Sequence, residues 1–137
     1  MENIAWKVTR PLPDDTGIKT FEEKTGHKLP TDYFECVLIN NAGYPNPERV
    51  KSAKGDERVL NGLLNYDQHK KANIFSTYET FVQSTGRKDI VPFANDPFGN
   101  YFCFDFAQSI SVVFWKHETN TVEEICDSFT NLLELLY

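Results

Sequence analysis

Apolar side chains recur with a helical period in four segments of the chain, two in each half. The first segment begins near Asp14 or Asp15 and stops at Gly26, with Ile18 and Phe21 as its short apolar stripe. Aspartate favours the start of a helix and glycine its end. This segment is therefore predicted to be the first helix.

The second helical segment lies within LPTDYFECVLINNAG. Thr31 is predicted to be its N-cap, and residues 41–43 (Asn-Ala-Gly) are predicted to end it. Tyr33 and Val37 are four residues apart, so they share one face of the helix.

Two later segments begin with the spacing of a capping box, in which Ser or Thr is followed three residues later by Glu. Ser76 and Glu79 form the first box, before a helix that Gly86 ends; Thr121 and Glu124 form the second. Apolar residues at i, i+4, i+7, i+8 and i+11 follow the second box and predict an amphipathic C-terminal helix packed on a core: Ile125, Phe129, Leu132, Leu133 and Leu136.

Between these helices the pattern is typical of strands. RVKS and RVLNGLLNY, separated by the polar run AKGDE, predict strands between residues 44 and 66. Residues 100–106 and 110–117 predict an antiparallel hairpin across the loop AQS. Helices at both ends with a strand-rich middle predict a single α+β domain over residues 1–137, with a mainly antiparallel central sheet flanked by helices.

The register of this hairpin follows from its apolar pattern if Phe106 pairs with Ile110. One face then carries six apolar side chains, and the other face is also largely apolar. The hairpin is therefore expected to lie centrally in the sheet, with its second face partly covered. The other predicted pairs are Phe104 with Val112, Phe102 with Phe114, Tyr101 with Trp115, Cys103 with Val113, and Asp105 with Ser111.

The stretch FANDPFGNYFCFDF holds two aspartates, Asp96 and Asp105, that suggest an acid/base pair. Asp96-Pro97-Phe98-Gly99 satisfies the preferences of a type I turn at three of its four positions. Along an extended segment the two carboxylates would be about 30 Å apart, whereas glycosidase pairs lie within about 5–10 Å. The acid/base interpretation fails, and Asp105 is expected to bond Ser111 or backbone donors of the following loop.

The remaining sequence contains no pattern typical of catalysis or metal binding. His27, His69 and His117 are distant from one another, and the chain has no nucleophile elbow or Walker loop. Three cysteines without C-x-x-C spacing indicate free thiols in a reducing cytosol. We therefore expect a cytoplasmic protein that is not an enzyme and that binds no metal and no cofactor. The lack of an apolar run of about 20 residues predicts no membrane span.

Charge is distributed unevenly along the chain. Residues 91–137 hold one basic residue, Lys116, against seven acidic ones, and so account for the whole net charge of −6. An acidic surface repels nucleic acid, so no direct nucleic-acid partner is expected. The same surface would attract a basic protein and speed their encounter; a merely solubilising surface is the alternative.

Four segments, in this order, carry a resemblance to a known family: LPTDYFECVLINNAG, PFANDPFGNYFCFD, VVFWKHE and DSFTNLLELL. They are similar to motifs of the SUKH superfamily, which includes the fungal cell-wall assembly regulator and many bacterial immunity proteins. Ala42 and Leu132 depart from these motifs, since they stand where glycine and phenylalanine are usual. The matched residues are expected to specify the fold: Leu29, Pro30, Asp32, Tyr33, Gly43, Phe93, Asp96, Gly99, Asp105, His117 and Phe129.

The resemblance implies an α+β fold and, for bacterial members, neutralisation of a polymorphic toxin, often a nuclease, without catalysis. We therefore expect an immunity protein whose partner is a cognate toxin with a basic nuclease domain; the oligomeric state is left open. Carboxylates would imitate phosphates in the nuclease cleft, and the candidate contact residues are Asp96, Glu118, Glu123, Glu124 and Asp127.

Buried aromatic anchors would contribute more affinity than such acids. Tyr44, Tyr66, Phe98 and Trp115 could serve as anchors if they are exposed. The alternative hypothesis is a regulatory or scaffolding protein that acts through endogenous partners, as the fungal relatives do.

Overall fold

The computed structural model describes residues 4–137. It has an α+β fold of four helices and nine strands among these residues. The helices are α1 (Thr16–Thr25), α2 (Thr31–Asn40), α3 (Ile74–Thr85) and α4 (Phe129–Leu135). The strands are β1 (Ala5–Lys7), β2 (Tyr44–Asn46), β3 (Arg49–Lys51), β4 (Glu57–Val59), β5 (Gly62–Leu63), β6 (Ile90–Asn95), β7 (Tyr101–Asp105), β8 (Ser111–Lys116) and β9 (Thr121–Cys126).

The central sheet is antiparallel, with strand order β5-β6-β7-β8-β9, so the predicted hairpin lies at its centre. All five predicted pairs from Tyr101–Trp115 to Asp105–Ser111 are confirmed. The pairing of Phe106 with Ile110 is wrong, because the ladder ends at Asp105 and Ser111. The backbone N–H of Phe106 donates instead to the carbonyl of Asp89, at 2.8 Å.

Helices cover both faces of this sheet. Phe102, Phe104 and Phe114 belong to one large core with α1, α2 and α4, in which Ile18, Phe21 and Phe129 are buried. On the other face, Phe81 of α3 packs edge-on against Trp115, with ring centroids 5.1 Å apart. The predicted partial cover of the second face is therefore confirmed.

Two predicted helix starts are wrong by a few residues. Pro30 is the N-cap of α2, and Thr31 is its first helical residue. Asn73 is the N-cap of α3 and accepts a hydrogen bond from the N–H of Ser76 at 2.9 Å. Asparagine is at least as good a cap as serine, so the helix starts at the earlier of the two polar residues. Gly26 and Gly86 end α1 and α3 with positive φ, as predicted.

The C-terminal segment is the largest correction. Residues 121–126 form an edge strand rather than the first turns of a helix, and α4 begins only after the N-cap Ser128. The backbone of β8 offers a pairing edge, and β-branched residues favour a strand there. The apolar stripe is nevertheless buried as predicted: Ile125, Phe129, Leu132, Leu133 and Leu136.

Two smaller two-stranded sheets complete the described part of the chain. Strand β1 pairs with β2, and β3 pairs with β4, both antiparallel. Residues 49–51 of the predicted strand RVKS and residues 58–59 of the predicted strand RVLNGLLNY lie in the β3–β4 hairpin, whose turn falls in the polar run between them. RVLNGLLNY is not one strand, because Gly62 and Leu63 form β5 and pair with β6 in the central sheet. Within residues 4–137, no helix is both long and apolar enough to cross a membrane.

Candidate partner-binding site

The structure separates the five candidate acids. Glu118 lies in the exposed turn between β8 and β9, at the end of the sheet where β7 begins. Glu124 and Asp127 are exposed at the opposite end. One strand of six residues, about 20 Å, separates these ends. Asp96 and Glu123 have their carboxylates engaged in the interior contacts described below.

Glu124 and Asp127 meet Asp105 in one groove of about 630 Å³, here called the acidic groove. It is lined by these three acids, by the polar side chains of Gln108, Ser109, Ser111 and Asn131, and by Ala53, Ala107, Ile125, Cys126 and Leu135. Three carboxylates line this groove, and neither lysine nor arginine does.

Two strands, β7 and β9, which lie on either side of β8, position the three carboxylates of the groove. Asp105 ends β7, and its Oδ1 accepts a hydrogen bond from the N–H of Ala107 at 2.9 Å, as expected for a loop donor. Glu124 stands on β9 opposite Val113, and the N–H of Ala53 donates to its backbone carbonyl at 2.9 Å. Asp127 lies directly before the N-cap of α4.

Cys126 is the thiol of the acidic groove. Burial raises its pKa from 9.0 to about 11; the adjacent Asp127 adds to the shift, and a hydrogen bond to the Ser128 backbone opposes it. Burial also raises the pKa of Cys36 and Cys103. These thiols are protonated at neutral pH and are therefore poor nucleophiles. No group of three or more potential metal ligands occurs in the part of the chain that the structure describes.

Glu123 ties the β3–β4 hairpin to the central sheet. Its side chain is 9% exposed, and its Oε1 accepts a hydrogen bond from Nε of Arg58 at 2.5 Å. Lys116 lies 4.0 Å from its other oxygen. The guanidinium of Arg58 also stacks over the Phe114 ring, 4.8 Å from the centroid. Glu123 therefore holds a structural ion pair rather than presenting a free carboxylate.

Asp96 organises the turn between β6 and β7. Its Oδ1 accepts hydrogen bonds from the N–H groups of Phe98 and Asn100, and its Oδ2 accepts one from Asn100 Nδ2 at 2.8 Å. Asn100 Oδ1 in turn accepts from the N–H of His117 at 3.0 Å. Gly99 has φ +91°, and a Cβ there would lie 3.3 Å from the His117 ring. Asp96, Gly99 and His117 thus hold the β6–β7 turn against the β8–β9 turn.

This locked turn presents Phe98, which is 73% exposed. Tyr44 is also exposed, whereas Tyr66 and Trp115 are buried and cannot contact a partner directly. Of the four aromatic residues proposed as anchors, the structure leaves Phe98 and Tyr44 accessible.

Other residues that resemble the family motif make contacts inside the fold. Asp32 on α2 accepts two hydrogen bonds from Thr130, one from its N–H and one from its hydroxyl, each 2.9 Å long. The buried hydroxyls of Tyr33 and Tyr66 are 2.7 Å apart. A Cβ on Gly43 would lie 2.8 Å from the Asn40 carbonyl oxygen. Leu29, Phe93 and Phe129 are buried in the core, and Pro30 caps α2.

Sequence reasoning did not place Asp105 beside Glu124 and Asp127, although it named all three. Their proximity depends on the pairing of β8 with both β7 and β9, and the second pairing was obscured by the helical interpretation of residues 121–126. The role of Arg58 was also missed. The one available signal for this ion pair was the position of Arg58 two residues before the buried Leu60, and such a signal is weak.

The four-motif resemblance is supported by a match to a family model. The model SUKH_6, described as SMI1-KNR4 cell-wall, matches residues 15–133. No curated protein matches the chain. The family match extends from the start of α1 into α4 and includes Asp96, His117 and the three acids of the groove, Asp105, Glu124 and Asp127. Because it covers well over half of the sequence, the chain belongs to the SMI1-KNR4 family of the SUKH superfamily.

Proposed function

We propose that this chain is an immunity protein that binds a cognate toxin in the cytoplasm and neutralises it, and that the toxin is a nuclease with a basic domain. Membership of the SUKH superfamily supports this function, since the superfamily includes immunity proteins. We include in the proposal a close relationship to the bacillar antitoxin YobK within this superfamily.

The acidic groove is the observation that carries the proposal. Asp105, Glu124 and Asp127 surround one concave surface, and no cation lines it to neutralise them. A basic loop of a nuclease, which normally contacts phosphates, would find carboxylate oxygens there instead. Gln108, Ser109 and Asn131 line the same surface and provide neutral hydrogen-bonding groups.

Apolar surface beside the groove adds a second component of binding. Leu135 lines the groove and is 43% exposed, and Ile110, in the adjoining loop, is 40% exposed. Exposed acids chiefly change the association rate and its salt dependence, whereas buried apolar contacts slow dissociation. We place the centre of the interface at this groove, with Phe98 and Glu118 at the other end of the sheet as peripheral contacts.

The test begins with tagged protein added to an extract of its native host. Bound proteins are identified by mass spectrometry at low and at high salt. The wild type is compared with Glu124→Lys/Asp127→Lys and with the control Glu23→Lys/Glu35→Lys, which changes the net charge equally at exposed sites on α1 and α2. The partner's toxic domain is then expressed in cells with each variant, and growth is measured.

We expect a partner with a basic domain that high salt releases. The groove variant should bind it at least about tenfold more weakly and fail to protect cells, because like charges would then face each other. The control should bind and protect like the wild type. Equal protection by both variants would contradict the acidic-groove interface. Capture of housekeeping proteins alone would favour the regulatory or scaffolding function.

A further inference from the structure

Three strained residues line one groove on the side of the molecule formed by the N-terminal region. Among residues 4–137, four residues other than glycine have positive φ: Val8 (55°), Ala42 (61°), Ala72 (56°) and Asn120 (52°). The first three line the same groove, here called the Val8 groove, together with Arg10, Asn65 and Lys71. Valine and alanine disfavour this conformation, and each such residue costs about 1–3 kcal/mol. Strain of this kind concentrates at ligand sites.

The charge of the Val8 groove is opposite to that of the acidic groove. Its volume is about 170 Å³, and among residues 4–137 its lining includes two cations, Arg10 and Lys71, and no carboxylate. The Arg10 guanidinium donates to the carbonyl of Thr9 at 3.2 Å. Within the described residues, neither Arg10 nor Lys71 forms an ion pair. Both charges are therefore available to an anion.

Two side-chain amides add further donors. Asn65 Oδ1 accepts hydrogen bonds from Asn41 Nδ2 at 2.9 Å and from the N–H of Asp67 at 2.8 Å. Asn95 Oδ1 accepts one from Asn61 Nδ2 at 3.3 Å. With both oxygens occupied, the NH₂ groups of Asn65 and Asn95 are the groups left for a ligand, and neither has a partner in the described part of the chain. A groove supplied with donors in this way suits an oxyanion.

The Val8 groove continues into a longer depression of about 600 Å³, with which it shares Arg10 and Asn65. Pro11, Leu12 and Pro13 form one wall of this depression, and Asp14, Asp67 and Lys70 also line it. The acidic side chain of a ligand would therefore lie in the Val8 groove, which the structure lines with cations, and only its apolar residues would lie along this wall. In the groove itself, the half-exposed ring of Tyr44 lies among the lining residues. The site therefore combines a small anion pocket with an elongated apolar wall, which free phosphate would leave unused.

We propose that the Val8 groove binds an extended acidic peptide segment of another protein. A carboxylate of the segment contacts Arg10, Lys71 and the amide of Asn65, and its neighbouring apolar residues lie along Pro11–Pro13. This site is separate from the acidic groove and does not depend on toxin binding. Its ligand is a protein segment of the opposite charge to the toxin surface proposed above.

NMR titration of the isotope-labelled full chain tests this site. The probes are a terminally blocked Leu-Asp-Glu-Leu tetrapeptide, its neutral analogue Leu-Asn-Gln-Leu, and inorganic phosphate. The acidic peptide should shift the side-chain NH₂ signals of Asn65 and Asn95 and the backbone N–H signals of Val8 and Ala42. Arg10→Gln/Lys71→Gln should weaken this response at least about tenfold. Both side chains are exposed, so the double variant should keep its fold.

The control variant Lys28→Gln/Lys54→Gln makes the same change in net charge at two exposed lysines outside the groove, and should respond like the wild type. An equal response to the neutral peptide would overturn the proposal, as would a response that persists in Arg10→Gln/Lys71→Gln. A response to phosphate without one to the acidic peptide would also overturn it and would identify a phosphate site. Absence of any shift at these residues would exclude a ligand site there.

Discussion

The acidic groove and the Val8 groove differ in both charge and backbone. Strands β7 to β9, the loop between β7 and β8, and α4 form most of the acidic groove, and no residue lining it has positive φ. Connecting segments and residues of β2, β5 and β6 form the Val8 groove, and three of its connecting residues have left-handed backbone. The acidic groove owes its character to side chains placed on regular structure, whereas the Val8 groove is maintained at a cost in backbone energy. Substitutions in the acidic groove should therefore change its charge without disturbing the fold. Substitutions in the Val8 groove should instead change the backbone conformation.

The largest expected effect is a loss of stability on substitution of Glu123, whose exposed neighbour Glu124 should tolerate the same change. Glu123→Lys should lower the free energy of unfolding by about 3 kcal/mol or more, because it leaves Arg58 facing a new cation in a largely buried site. Glu124→Lys, one residue away and exposed, should change stability by less than about 0.5 kcal/mol. Urea denaturation measures both variants.

For toxin binding we expect the reverse order of effects: Glu124 should matter directly, and Glu123 only through the fold. Glu124→Lys should weaken toxin binding while the protein stays folded, since its carboxylate lines the groove. If Glu123→Lys proves as stable as the wild type, the ion pair with Arg58 does not hold the β3–β4 hairpin as the structure indicates.

Asn41, which lines the longer depression and holds Asn65 of the Val8 groove, should be the next most sensitive residue. Asn41 is 1% exposed; its Nδ2 donates to Asn65, and its Oδ1 accepts from the N–H of Tyr66 at 3.0 Å. Asn41→Ala should cost about 2 kcal/mol, because the buried N–H of Tyr66 and the partly buried side chain of Asn65 each lose a hydrogen bond. It should also remove the response to the acidic tetrapeptide while toxin binding is unchanged.

Asn40→Ala is the matched control for this experiment. Asn40 is only partly buried and donates within its own helix, to the carbonyl of Cys36 at 3.1 Å. Its loss should cost less than half as much in chemical denaturation. Equal losses for the two asparagines would show that Asn41 does not have a special role in holding Asn65 and Tyr66.

The sequence predicted the central hairpin well because strand periodicity is strict. A slip of one residue would move Phe102 and Phe104 to the other face, so only one register buries the apolar set. The prediction of a single helix over residues 121–136 was wrong because a capping-box spacing and an apolar stripe are compatible with more than one structure. The strand β9 followed by a helix capped by Ser128 buries the same side chains as one long helix would.

The acidic groove was more predictable from the sequence than the Val8 groove, because only its character is visible in the residue types. The excess of acids after residue 90 is visible in composition, so Glu124 and Asp127 could be named in advance. The strain at Val8 and Ala42 could not, because neither residue is a glycine that would signal positive φ. The replacement of the family's usual glycine by Ala42 was the one available sign, and only the structure shows what it costs.

Substitutions that relieve the backbone strain in the Val8 groove should raise stability moderately, whereas the substitutions above lower it. Ala42→Gly should raise the free energy of unfolding by about 1 kcal/mol, because glycine adopts φ near +61° without the steric cost that a Cβ imposes. Val8→Gly should also stabilise the fold, since the valine side chain is 62% exposed and buries little apolar surface. Thermal and urea unfolding provide the measurement.

The same two variants sharpen the comparison between the grooves. Val8→Gly removes an apolar wall and loosens the backbone, so it should weaken the response to the acidic tetrapeptide even though it stabilises the protein. Gly17→Ala, on helix α1 where a Cβ would make an ordinary 3.8 Å contact, is a control for stability alone, because Gly17 lines the longer depression beside the Val8 groove. A fold destabilised by Ala42→Gly would argue that the left-handed conformation is not strained.

The smallest effect at neutral pH concerns the thiol of the acidic groove. Because burial raises the pKa of Cys126 from 9.0 to about 11, the folded protein keeps a proton that the unfolded chain loses in this interval. Stability contributed by the thiol is therefore complete below pH 9 and is lost as the pH rises towards 11. Burial of Tyr33 and Tyr66 raises the pKa of both phenols and adds to the alkaline loss in every variant.

Cys126→Ala should make the fall in unfolding free energy between pH 9 and 11 shallower, while the difference from the wild type stays constant below pH 9. The measurement is a series of urea denaturation curves across this range, with reducing agent present throughout. Alkylation of Cys126 in the folded wild type should correspondingly be slow at neutral pH, because little thiolate is present. Identical alkaline slopes with and without the thiol, or rapid alkylation at neutral pH, would show that Cys126 titrates as an ordinary exposed cysteine and that this part of the acidic groove is open to water.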